Sequence, residues 1–137
     1  VTTVARSPAA LLDLAGADLG ATDWVPLEPE QLDRFARATG GDRADPAMLA
    51  LSLVNLFLPR LLEVRGASMG VNVGLDRVRF PSPLPPAGRL RARGRVLEAT
   101  ESRGGVQVVV RVVVEAEAAG GAGEPVCEAD TVSRFLP

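Results

Sequence analysis

The sequence predicts an α+β domain in which one antiparallel sheet wraps a central apolar helix. Three observations predict this. The first half of the chain carries helical spacing of its apolar residues. From Met69 onward the spacing changes to a period of two, the signature of half-buried strands. Between the two lies Met48–Leu58, apolar on nearly every face. A helix of that kind must be enclosed, and a run of strands joined by tight turns is the surface left to enclose it. The chain has 137 residues, one domain's length, and is read as a single domain over 1–137.

Ser7 and Pro8 open a short helix, because serine suits an N-cap and proline the first helical position. Gly16 ends it. Asp23–Leu27 reads as a short strand, confined to a sheet edge by Pro26. In the following EPEQLDRFARATG, Leu32, Phe35, Ala36 and Thr39 share one helical face, with acids early and arginines late. The polar loop GGDRADP leads to Asp45-Pro46, an N-cap and first residue for the central helix, which Pro59 ends or kinks. Met69–Phe80 is a strand with an irregularity near Gly74. Four prolines stiffen the connector 81–88. Arg89–Ala99 then alternates arginine with Leu90, Ala92, Gly94 and Val96. A turn at ESRGG, a valine-rich strand over Val106–Ala118, a turn at AGGAGEP and a last strand over Val126–Leu136 complete a meander. No internal repeat is visible.

Composition narrows the chemistry. The 15 basic residues are all arginine, and histidine, lysine and tyrosine are absent. That removes Ser-His and Cys-His nucleophile pairs, Schiff-base and P-loop lysines, and histidine metal sites. A single cysteine, Cys127, forms no intramolecular disulfide and is read as a packing residue in a strand. Any general acid or base must be Asp, Glu, Cys127 or water. No metal or organic cofactor is called for. A formal net charge of −2 with 4% aromatic residues argues against nucleic acid. The longest apolar stretch, Ala47–Leu58, falls short of the ~20 residues of a membrane span. A soluble, cytoplasmic protein is the expectation.

A sheet wrapped around one apolar helix describes a hot-dog fold. Within it, three segments in order carry a resemblance: FARATG closing Asp23–Gly40, LALSL in Met48–Leu58, and VNVGLDRVRFPSPLPPAGRLRAR over 71–93, followed by GGVQVVVRVVVE and CEADTVSRFL. They resemble the MaoC-like dehydratases, or (R)-specific enoyl-CoA hydratases, over almost the whole chain. The resemblance implies paired hot dogs with continuous sheets and a site near the subunit interface. It implies an acyl chain held as a coenzyme A or carrier-protein thioester, with water added to or removed from a trans-2-enoyl group. An aspartate and a histidine on the loop before the central helix would move the proton. A backbone N–H at that helix's start would polarise the thioester carbonyl.

The chain departs from that pattern at the chemistry. Between Gly40 and Met48 stands only GDRADPA, with no counterpart of the histidine or of the loop that overhangs the acyl pocket. Asp42 is the counterpart of the catalytic aspartate, or a solvated loop carboxylate. Ser52 and Asn55 on the central helix would orient water or ligand; the Ser52 hydroxyl can equally return to a helix carbonyl. The N–H groups of Ala47 and Met48 would serve the carbonyl. Asn72 would contact ligand or hold neighbouring backbone. Arg77 and Arg79 would take the phosphates of coenzyme A or phosphopantetheine, whereas Arg89, Arg91, Arg93 and Arg95 fit a solvated sheet face.

Two readings of function follow. One is a hydro-lyase of the enoyl-thioester class with a depleted, histidine-independent site. The other is a non-catalytic or repurposed hot dog: a binder of acyl or polyketide-like ligands, a cyclase or isomerase, or the inactive partner of a catalytic paralogue. A homodimer is expected because the long edge strand would otherwise lie open, with a heterodimer as the alternative.

Overall fold

The computed structural model describes residues 1–137. Its main sheet has six strands (β2 Asp18–Ala21, β3 Val25–Leu27, β5 Met69–Arg79, β6 Gly88–Ser102, β7 Gly105–Glu117 and β8 Gly123–Leu136). The order is β2-β6-β7-β8-β5, with β3 also pairing β6, and all pairings are antiparallel. A small parallel pair, β1 (Thr3–Ala5) with β4 (Leu62–Val64), ties the start of the chain to the end of the central helix. Helix α1 spans Pro29–Thr39, and the central helix is α2 (Pro46–Ser52) followed by α3 (Val54–Leu61). The hot-dog expectation holds.

The long strands obey their alternation. Leu90, Ala92 and Val96 of β6 and Val108, Val110, Val112 and Val114 of β7 point inward and are at most 1% exposed. Gly94 takes the same inward place because a Cβ there would lie 2.9 Å from Leu61 Cδ1, so glycine lets the helix approach the sheet. The β6–β7 turn places Arg103 and Gly104 at φ 47° and 81°, the left-handed pair that suits the twist of a two-residue hairpin.

The outer face carries the charges, and most are engaged. Arg91 and Arg93 both donate Nε to Glu115, at 2.9 and 3.2 Å. Arg111 donates to Asp130 at 2.8 and 3.0 Å. Arg89 pairs with Glu117, and Arg95 donates to the Gly16 carbonyl at 3.1 Å. Trp24 lies beneath Arg91 and Arg89, 4.4 and 5.9 Å from the guanidinium carbons. The arginines of β6 are thus cross-strand partners on a sheet face, as their alternation suggests.

The central helix differs from expectation in two ways. It runs from Pro46 to Leu61 with a tightened step at Leu53, so Pro59 does not end it. Pro59 offers no N–H to the Asn55 carbonyl, but the helix continues because its inner side is anchored in the core. It is also not enclosed all round. Ala50, Val54, Phe57 and Leu61 form one buried stripe at alternating four- and three-residue steps, whereas Met48 and Leu56 are 46% and 39% exposed. The short strands β1, β2 and β4, absent from the sequence reading, pair residues far apart in the chain.

The stripe makes a direct prediction. Phe57→Ala should cost about 3–5 kcal/mol as a large cavity in a packed core, and Leu56→Ala less than about 1 kcal/mol. Urea unfolding of both variants checks this; similar losses would mean the helix is turned differently.

Candidate functional site

The flank of the central helix that the core leaves open faces the inner side of β5, and between them runs a groove of about 270 Å³. Its polar lining comes from Ser52 and Asn55 of the helix, Asn72 of β5 and Thr131 of β8; Leu51, Val54, Leu58, Leu75 and Val132 supply apolar walls. The register explains the convergence. Asn72 lies opposite Ser133 and Leu75 opposite Thr131, and Thr131 and Ser133 in turn face the core residues Val110 and Val108 across β7. These β5 residues therefore share the inward face. Serine at 52 and asparagine at 55, three residues apart, lie on one side of the helix.

The two hydroxyls are committed to backbone. Ser52 Oγ donates to the Met48 carbonyl at 2.9 Å, and Thr131 Oγ1 to the Val110 carbonyl at 2.9 Å. The side-chain amides of Asn55 and Asn72 remain as the groove's unengaged donors and acceptors. They are the chain's only asparagines.

The groove is open at both ends. Leu51 and Ser52 also line a cleft of about 440 Å³ between α1 and α2, bounded by Phe35, Arg43, Asp45 and Met48. Asn55, Leu58 and Asn72 also line a cleft of about 370 Å³ toward Leu62, Glu63, Val64, Val71 and Phe135, where Glu63 accepts from Arg65 at 2.9 Å. The three form one trough beside the central helix.

Several expected site residues are placed elsewhere. Asp42 lies exposed on a 3-10 turn, Gly41–Arg43, and lines neither the groove nor the α1–α2 cleft. The Ala47 and Met48 amides are spent on the cap: Asp45 Oδ1 accepts from Ala47 N–H and the Asp45 carbonyl from Met48 N–H, both at 3.0 Å. That fulfils the capping role read for Asp45 and leaves these two amides engaged. Arg77 and Arg79 lie opposite Asp130 and Glu128. Asp130 bonds Arg111 on the outer face, so both arginines stand on the side of the sheet away from the groove. The bulges in β5 put them there, since register shifts between Asn72 and Gly74 and between Leu75 and Arg77 reset which face each residue takes. Thr131 and Leu75 were missed; the alternation of β8 for the first and of β5 for the second was their only signal.

No group of three or more His, Cys, Asp or Glu side chains is placed to hold a metal ion. No helix is long and apolar enough to cross a membrane. Cys127 is fully buried in the core, and burial, with a smaller contribution from the Glu128 charge, pushes its thiol up to about 11. It is no nucleophile near neutrality.

The chain is 32% identical to the 3-hydroxyacyl-thioester dehydratase Z of Mycobacterium tuberculosis, over 96% of this chain and 97% of that protein. Its backbone superposes on a MaoC-like dehydratase from Rhodospirillum rubrum with a TM-score of 0.56 at 15% identity, covering 90% and 93% of the two chains. The chain belongs to the MaoC-like hot-dog dehydratase family. A chain of the C-terminally truncated HadBC (3R-hydroxyacyl-ACP dehydratase) complex of M. tuberculosis gives 0.61 at 23% identity, over 90% of this chain and 97% of that one. No family model matches the chain. The alignment to the mycobacterial dehydratase spans 149 positions, more than the 137 residues present here. That relative therefore carries residues with no counterpart in this MaoC-like chain.

In moderately alkaline solution Cys127 is the only side chain that titrates, since the chain has no lysine, tyrosine or histidine. The unfolded thiol loses its proton near its ordinary value of 9 and the folded one near 11. Stability should be constant up to about pH 9 and then fall as pH rises through 11, because the unfolded chain releases the proton first. Denaturant unfolding at pH 8 and pH 10.5 checks this, and Cys127→Ala should flatten the difference.

Proposed function

We propose that this chain is an acyl-thioester-binding member of its family whose site is depleted of acid–base groups at its centre. One observation carries the reading: the trough beside the central helix is lined in its middle by amides and hydroxyls, and by no carboxylate. An asparagine N–H₂ donates to an oxygen of a bound acyl ligand and so holds it. It cannot take the proton whose removal starts dehydration. Coenzyme A and carrier-protein thioesters both fit the open end by α1, where Arg43, which makes no ion pair within the chain, is the cation placed for a pantetheine or nucleotide phosphate.

The subunit contact belongs to the same proposal. β5 is the open edge of the sheet, and Met69, Val71, Val73 and Leu75 on it are 40–55% exposed. A second copy laying its own β5 against this edge would pair the open backbone and bring two troughs near one seam. A catalytic paralogue in place of the second copy is the alternative, favoured by the two-subunit character of the HadBC neighbour.

Hydration of crotonyl-CoA, followed by loss of enoyl absorbance, tests the reading together with calorimetric binding. Saturable binding is expected with turnover at least about 10²-fold below that of a histidine-bearing family member. Comparable turnover would overturn the depleted site; absence of binding to any acyl thioester would overturn the whole reading. If the chain purifies as a homodimer, a paralogue is not required.

A further inference from the structure

Resting on the reading of the trough as an acyl-thioester site, we infer that it selects acyl chains bearing a hydroxyl or other oxygen function beyond the third carbon over plain alkyl chains, with Asn55 and Asn72 as the selecting residues. The lining is too polar for a thioester head alone. Each asparagine amide brings two N–H donors and a carbonyl oxygen with two lone pairs. Neither is spent within the chain, while the neighbouring hydroxyls keep lone pairs free after donating to backbone. A thioester carbonyl and one hydroxyl at the third carbon occupy only part of that set.

Position along the trough says where the rest must go. Ser52 adjoins the end by α1, where a pantetheine arm enters, and Asn55 and Asn72 adjoin the opposite cleft toward Leu62 and Phe135. The unspent amides therefore lie further along the acyl chain than the thioester does. A plain alkyl chain seated there strips water from both amides and returns nothing, which is the costly way to bury a polar group. A chain with a hydroxyl at that depth supplies a donor and an acceptor. Discrimination of this kind comes chiefly from rejecting the ligand that leaves the site's polar groups unpaired.

Calorimetric titration with octanoyl-CoA and 5-hydroxyoctanoyl-CoA, on the full chain and on Asn55→Leu and Asn72→Leu, tests the inference. Both asparagines are exposed, so the variants should fold, which unchanged melting confirms. Wild type should bind the hydroxylated ligand about tenfold more tightly, one satisfied polar contact. At least one variant should bring the ratio near one by gaining affinity for octanoyl-CoA. Equal or tighter wild-type binding of octanoyl-CoA overturns the inference and leaves the acyl-thioester reading standing; so does an unchanged ratio in both variants. If neither ligand binds, the acyl-thioester reading itself falls.

Discussion

Burial of one stripe of the central helix against the inner face of the sheet decides where everything else in this chain can be. Ala50, Val54, Phe57 and Leu61 are at most 5% exposed, and the valines of β7 meet them from the other side. Fixing that stripe fixes the helix's rotation. Ser52 and Asn55 then fall on a flank, and the flank looks toward the edge strand rather than into the core. The same contact that buries Phe57 and Leu61 in the core opens the trough.

The sheet separates two kinds of chemistry. Its outer side is a lattice of arginines and carboxylates, with Glu115 shared by Arg91 and Arg93 and Asp130 gripped by Arg111. The Asp130 hydrogen bonds hold the Arg111 guanidinium still more firmly protonated than usual. These charges brace the strands. The inner side carries no charge in the trough's centre and presents neutral hydrogen-bonding groups to whatever enters. A neutral inner face of this kind is a surface suited to recognition.

Much of the fold was legible because local rules and tertiary demands agree. The alternation of β6 gave its two faces correctly, and Asp45-Pro46 marked the start of the central helix. What was not legible depends on partners distant in sequence. β1 and β4 are three residues each, and only their pairing makes them strands. The central helix reads as apolar all round, yet composition does not say whether a cover is present, and Met48 and Leu56 stand open here. In the site, Ser52, Asn55 and Asn72 were visible one at a time, and the register of β5 against β8 brings them together. That register, with its two bulges, also sent Arg77 and Arg79 to the other face. Asp42 matched a motif, but it stands exposed on a 3-10 turn and lines none of the three clefts.

Amide nuclear magnetic resonance tests the central claim most directly, because Asn55 and Asn72 are the only asparagines and Gln31 and Gln107 serve as internal controls away from the trough. On adding octanoyl-CoA or its hydroxylated analogue, the account predicts shifts in both asparagine side-chain N–H₂ pairs and in the backbone amides of Ser52 and Thr131, with the glutamines unmoved. Shifts confined to the outer face of the sheet, around Arg77, Arg79 and Arg111, would contradict it.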